Sequence, residues 1–164
     1  MKINIEPQLL TPLIPFVLGI IFKTMLDLNL ALKLVKYFHW IPVRFLFRTK
    51  PFKVSGKWIQ LWDNTVSENY VSEETRQSEL HLKQFGKYCY AEYRIKNDEL
   101  YFIFGEIRGN NIIGKWGDKT NELGYYGAFE LRILDSKEIK GRWMGHSNKS
   151  PEKINTGEWN WKRN

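Results

Sequence analysis

At 164 residues the chain has room for one domain and an appendage but not for two full domains. Residues 1–50 hold 7 basic and 2 acidic side chains, leaving 18 and 16 for the remainder, so the excess positive charge flanks an apolar N-terminal third. Such a position suits anionic head groups and excludes the basic stripe across a folded domain that a DNA or RNA polymer binder needs, while the single cysteine, Cys89, excludes an internal disulfide and fits a reducing compartment.

From Leu9 to Phe22 the chain carries no charge, and the run reaches Leu26 if Lys23 snorkels. Eighteen residues at ~1.5 Å each give roughly 27 Å, enough for a thin bilayer. A cleaved signal peptide fits poorly: Lys23 and Asp27 stand where small residues should mark the cleavage site, and Glu6 stands in what would be the positive leader. The run therefore reads as a retained membrane segment. Leu28 to Phe47 is apolar but interrupted by Lys33, Lys36, His39, Pro42 and Arg44. It reads either as a second helix that recrosses the bilayer after a turn at Asp27-Leu28-Asn29, or as an amphipathic helix lying in the interface. Arg44, Arg48, Lys50 and Lys53 place the downstream chain on the cytoplasmic side.

Beyond residue 54 short alternating segments are separated by turn chemistry. Strands are expected at Val54–Trp62, Glu79–Phe85, Lys87–Ile95, Leu100–Arg108, Ile112–Gly117, Leu123–Leu134, Glu138–Gly145 and Ile154–Arg163, with hairpin signals at Gly86 and at Gly109-Asn110-Asn111. Val66 to Thr75 is ambiguous between loop and short helix. Four Gly-x-Trp tripeptides, at Gly56, Gly114, Gly141 and Gly157, each hold a charged middle residue. In a strand, alternation puts Gly and Trp on one face and the charge on the other, and glycine suits the tight bends of a small curved sheet. Eight short strands in about 110 residues close most economically into a barrel, which leaves no exposed edge. The expected architecture is a membrane-anchored all-β protein: an N-terminal helical membrane region of two short helices over 1–50, then a compact eight-stranded antiparallel β-barrel over 51–164.

The order of features resembles the two-transmembrane β-barrel effectors of bacterial cyclic-oligonucleotide antiphage signalling, CBASS and related systems. The residues that carry the resemblance are the N-terminal apolar hairpin, Val54-Ser55-Gly56-Lys57-Trp58, Tyr126-Gly127-Ala128-Phe129-Glu130-Leu131, Lys140-Gly141-Arg142-Trp143 and Thr156-Gly157-Glu158-Trp159-Asn160-Trp161. The resemblance implies an effector at the bacterial inner membrane with its barrel in the cytoplasm. The resemblance implies a barrel that binds a cyclic di- or oligonucleotide, which either is made during phage infection and drives protomers to associate and damage the bilayer so that the infected cell stops growing or dies, or, in a related arrangement, is made constantly and holds the effector off until a phage removes it. It implies no catalysis and no cofactor beyond the regulatory nucleotide.

Such a ligand needs cations or backbone N–H groups for its phosphates and flat π-surfaces for its bases. Arg108, Lys115, Lys119, Arg132 and Arg142 alternate with Trp116, Tyr125, Tyr126 and Trp143, and the turn containing Asn110 offers backbone donors. One barrel end, formed by the turn at 109–111 and by the segment 116–126, is the expected site, with Arg108, Asn110, Lys115, Trp116, Tyr125, Tyr126 and Arg142 as its candidates. His39, His81 and His146 are far apart in sequence and no metal-ligand, Walker or nucleophile-elbow motif is present. His81, between Leu80 and Leu82, is expected to face solvent. A membrane-tethered lipocalin-like barrel for a small apolar ligand or lipid is the alternative, since Gly56-Lys57-Trp58 on a first strand also resembles lipocalins; a scaffolding module without a ligand is a third reading.

Overall fold

The computed structural model describes residues 15–21, 23, 30–63, 76–95, 99–121, 124–146 and 152–163. Its centre is a closed, fully antiparallel barrel in which each strand pairs with the next and the last returns to the first. The strands are β1 (Gly56–Trp62), β2 (Gln77–Phe85), β3 (Tyr88–Arg94), β4 (Leu100–Arg108), β5 (Asn111–Asp118), β6 (Tyr126–Ile133), β7 (Glu138–His146) and β8 (Ile154–Arg163). All eight expected strands form, two of them with the expected bounds. The ambiguous stretch 66–75 lies outside the described residues.

Alternation decides what fills the barrel. Trp58, Leu82, Ile103, Ile112, Leu131, Ile139 and Trp161 point inward and are essentially solvent-free, each contributing about 1.5–3 kcal/mol by burial. His81, between buried Leu80 and Leu82, faces outward as expected. The Gly-x-Trp prediction also holds: Lys57, Lys115, Arg142 and Glu158 are exposed, whereas the glycines and indoles share the inner face. Three of those glycines sit where the wall bends against a neighbouring backbone. A Cβ on Gly114 would strike Phe104 O and lie 2.6 Å from Gly105 Cα, one on Gly141 would strike Glu130 O and lie 2.6 Å from Leu131 Cα, and one on Gly157 would strike Asp63 O. Gly56 differs, with a positive φ of 134° at the entry to β1.

One end of the barrel is sealed. The strand-to-strand turns at Gly86 and Gly109, both with φ of 58°, lie there with the start of β1 and the end of β8. The approach to β1 folds across this end, with Val54 buried beneath it. Gln84, itself buried, accepts from Val54 N–H at 2.9 Å and donates to Phe52 O at 2.8 Å and Gly86 O at 3.0 Å. Trp58 Nε1 donates to Val54 O at 2.8 Å, and the Arg163 guanidinium lies 4.6 Å from the Trp58 ring centroid while Nη2 donates to Ser55 O.

Residues 15–21 form helix α1, whose apolar side chains are exposed, and α2 spans Leu30–Phe38. Nine residues make a helix of only ~14 Å. The chain then turns and forms a short 3-10 helix at Val43–Leu46. Among the described residues of 28–47, the helix ends at Phe38 and does not run on continuously to Phe47. No described helix is long and apolar enough to cross a membrane. α2 instead packs on the outer faces of β2 and β3. Val35 is fully buried there, as is Tyr90, which points outward from the barrel. The contact is pinned by the Glu92 carboxylate, which accepts from Lys36 Nζ of α2 at 3.0 Å, from Lys119 Nζ at 2.8 Å, and from the Tyr90 hydroxyl. Burial pushes Glu92 up, but the hydrogen bonds from Lys119, Tyr90 and Lys36 outweigh it and hold the carboxyl at about 2.

Candidate ligand-binding site

The end opposite the seal is open. There the inward residues are large and flat: Trp62 of β1, Tyr93 of β3, Tyr101 of β4, Trp116 of β5, Tyr125 just before β6, Trp143 of β7 and Trp159 of β8. With Ile95, Gly145, His146 and Asn155 they wall an open-mouthed cavity of about 80 Å³. The lining is that of a small-molecule site, mostly apolar with a few polar groups.

The rings hold one another in place. Trp116 and Trp143 meet edge-to-face with centroids 5.9 Å apart, Trp143 meets Trp62 the same way at 6.3 Å, and Tyr93 stacks on Tyr101 at 5.9 Å. Two of the indoles are fixed by backbone acceptors: Trp116 Nε1 donates to Met144 O and Trp143 Nε1 to Asp63 O, both at 3.2 Å. Glycines make this packing possible. A Cβ on Gly145 would stand 2.6 Å from Trp116 Cζ2, and one on Gly157 2.7 Å from Trp143 Nε1. Deeper in, Trp159 Nε1 donates to Gln60 Oε1 at 3.0 Å, which marks the floor where the cavity gives way to packed core.

The structure divides the residues expected to form the site. Trp116 and Tyr125 line the cavity. Lys115 and Tyr126 have the opposite parity and face outward, where with Trp116, Tyr125 and Phe102 they border a second hollow of about 310 Å³. Arg142 also faces outward, between Glu130 and Glu158 on the flanking strands. Arg108 is exposed and paired with Glu106 at 3.0 Å, and Asn110 sits in the adjacent turn at the sealed end. The expectation that the 109–111 turn and the 116–126 segment share one end is corrected. β5 runs between them, and eight residues at ~3.3 Å carry the chain some 25 Å to the opposite rim. Lys119 stands at the open rim on Glu92, whereas Arg132 faces outward near the sealed end.

Trp62, Tyr93, Tyr101, Trp159, His146 and Asn155 were not among the expected site residues. Parity was the available signal for the inward ones, since Trp62 shares the face of Trp58, and Tyr93 that of Cys89 and Ala91. No Lys or Arg is among the described residues that line the cavity. Among the described residues, the cations at the open end are Arg76, Arg94, Lys119 and Lys153, which flank the strand ends. Among the described residues no cluster of His, Cys, Asp and Glu is arranged to hold a metal ion. Cys89 is enclosed in the core, and burial pushes its thiol up to about 12, so it is not a nucleophile in the folded state.

No family model matches the chain and no curated protein matches its sequence. Solved structures do match its fold. EF1p2_mFAP2b, solved bound to DFHBI, superposes with a TM-score of 0.51 at 8% identity over 68% of this chain and 94% of that one. A redesigned β-barrel, b11L5F_LGL, gives 0.46 at 10% identity over 68% and 91%. Transferrin-binding protein B of Haemophilus parasuis gives 0.44 at 14% identity over 67% of this chain and 26% of that one. At these identities the likeness is one of architecture: a small closed antiparallel β-barrel.

Proposed function

We propose that the chain is a sensor whose barrel mouth takes the bases of a cyclic di- or oligonucleotide, and that occupancy controls self-association and bilayer disruption by the N-terminal apolar region in antiphage defence. The carrying observation is the cavity at the open rim, walled by four indoles and three phenols held at stacking distances. Each ring offers a π-face, and base stacking on such faces is worth roughly 1–3 kcal/mol per base. The phosphates would remain at the rim beside Arg76, Arg94, Lys119 and Lys153, because the described residues of the wall include no Lys or Arg. The fold of a barrel solved with a bound small molecule is compatible with this use. The N-terminal half of the proposal rests on the apolar sequence from Leu9 to Phe22 and on the exposed apolar side chains of α1.

A second reading has its own observation. Among the described residues no Lys or Arg lines the cavity, which suits a neutral ligand, so a membrane-tethered barrel for a small apolar molecule or lipid fits the same cavity. Titrating the purified full chain in detergent with a panel of cyclic dinucleotides and a long-chain fatty acid, read by tryptophan fluorescence and calorimetry, separates the two. Saturable nucleotide binding that falls at least tenfold in Trp143→Ala supports the sensor; binding of the fatty acid alone replaces it with the carrier. In bacteria expressing the chain, cyclic nucleotide should alter inner-membrane potential, and an unchanged potential removes the effector role.

A further inference from the structure

Three buried side-chain polar atoms among the described residues have no hydrogen-bond partner: Asn155 Oδ1, Trp161 Nε1 and Arg163 Nε. Trp161 belongs to the packed core and Arg163 to the sealed end, where its guanidinium already covers Trp58. Only Asn155 lines the cavity. It is the second residue of β8, inward-facing by alternation, and pairs with Gly145 of β7. Glycine at 145 leaves that side of the wall to the Trp116 ring, so the amide stands next to an aromatic surface and not behind a side chain of its own partner strand. A buried acceptor without a donor weakens the folded state unless a water or a ligand completes it.

We infer that Asn155 is the specificity-determining residue of the mouth: its amide oxygen accepts a hydrogen bond from the edge of a planar heteroaromatic ring stacked on the indoles, so the ligand carries an N–H donor there, as nucleobases do and fatty acids do not. The inference rests on the mouth being the binding site and names which chemistry it selects. Stacking on Trp116 and Trp143 supplies affinity for any flat ring. Asn155 supplies the preference among them, because a site built around one hydrogen bond discriminates against the analogue that leaves its buried polar group unpaired.

The test uses two probe pairs that differ only by the donor, 9-methyladenine against 9-methylpurine and 1-methyluracil against 1,3-dimethyluracil, titrated into the purified full chain in detergent by calorimetry. The expected result is that at least one donor-bearing probe binds roughly tenfold tighter than its partner. Asn155→Leu should abolish that preference while still binding the donor-free ring, and Asn155→Asp, which keeps an acceptor, should retain it. Asn155→Leu should also raise the thermal midpoint by roughly 3 °C, since it removes an unpaired polar atom. A lowered midpoint, or failure to fold, would mark a structural asparagine and overturn the inference. Equal binding within both pairs would overturn it while leaving the mouth as a stacking site. If neither pair binds, the mouth reading and the role of Asn155 fall together.

Discussion

Gly141→Ala tests why this wall needs glycine. The added Cβ would strike Glu130 O and lie 2.6 Å from Leu131 Cα, both backbone atoms of the paired strand, so no side-chain rotation relieves the overlap. β6 would have to retreat from β7 along seven registered pairs. Overpacking of this kind costs typically 1–3 kcal/mol, and a backbone obstacle belongs at the upper end. Against that stands about 0.7 kcal/mol gained by restricting the unfolded chain. The net expectation is a loss of about 2 kcal/mol, which for a domain of this size lowers the midpoint by roughly 8 °C. Gly109→Ala is the comparator: nothing lies within 4 Å of its Cβ, and only its φ of 58° is unfavourable, so it should lose about 1 kcal/mol. The assay is thermal unfolding of the full chain followed by near-ultraviolet circular dichroism, whose signal comes from the packed indoles. A Gly141→Ala midpoint within 2 °C of the parent, or a larger loss at Gly109, would refute the steric account of the Gly-x-Trp corners.

The Glu92 carboxyl is held at about 2, below its ordinary value of 4.5, so its contribution is complete above pH ~4.5 and disappears as pH falls towards 2. Partial exposure limits that contribution to about 1 kcal/mol, and a pH series of denaturant melts should show Glu92→Gln without this acid-side loss. Because Lys36 and Lys119 share that carboxylate, the same substitution should speed amide exchange across Leu30–Phe38 more than in β6 to β8, as read by hydrogen–deuterium exchange. Gln84→Ala strands Val54 N–H, Phe52 O and Gly86 O at the sealed end and should cost roughly 2–3 kcal/mol in chemical denaturation. Cys89 should resist a maleimide reagent at pH 8 until denaturant opens the barrel; rapid labelling of the native chain would show that the core at β3 and β4 is open.

The barrel was legible because its signals are local. Alternation around Leu80, His81 and Leu82, and the turn at Gly109-Asn110, report on a few neighbouring residues, and the Gly-x-Trp tripeptides carry the inner face with them. The site was less legible because it is assembled across strands. Arg108 and Asn110 lie a full β5 length from Tyr125, and Tyr125 and Tyr126, as adjacent residues of an extended chain, face opposite ways. Counting parity back from Phe129 puts Tyr125 inside and Tyr126 outside. The seating of α2 had no sequence signature at all, since Lys36 and Glu92 meet across 56 positions of chain and the helix covers a wall that alternation marks as wet.

At the sealed end β1 begins where β8 finishes, with the Arg163 side chain 3.7 Å from the Cβ position of Gly56. The two borders of the barrel are therefore near enough to be spliced by a few glycines, and a rearranged gene could start instead at the Gly109-Asn110 hairpin. A reporter fused after Arg163 would sit beside the N-terminal region and far from the aromatic rim, leaving the entrance clear for ligand.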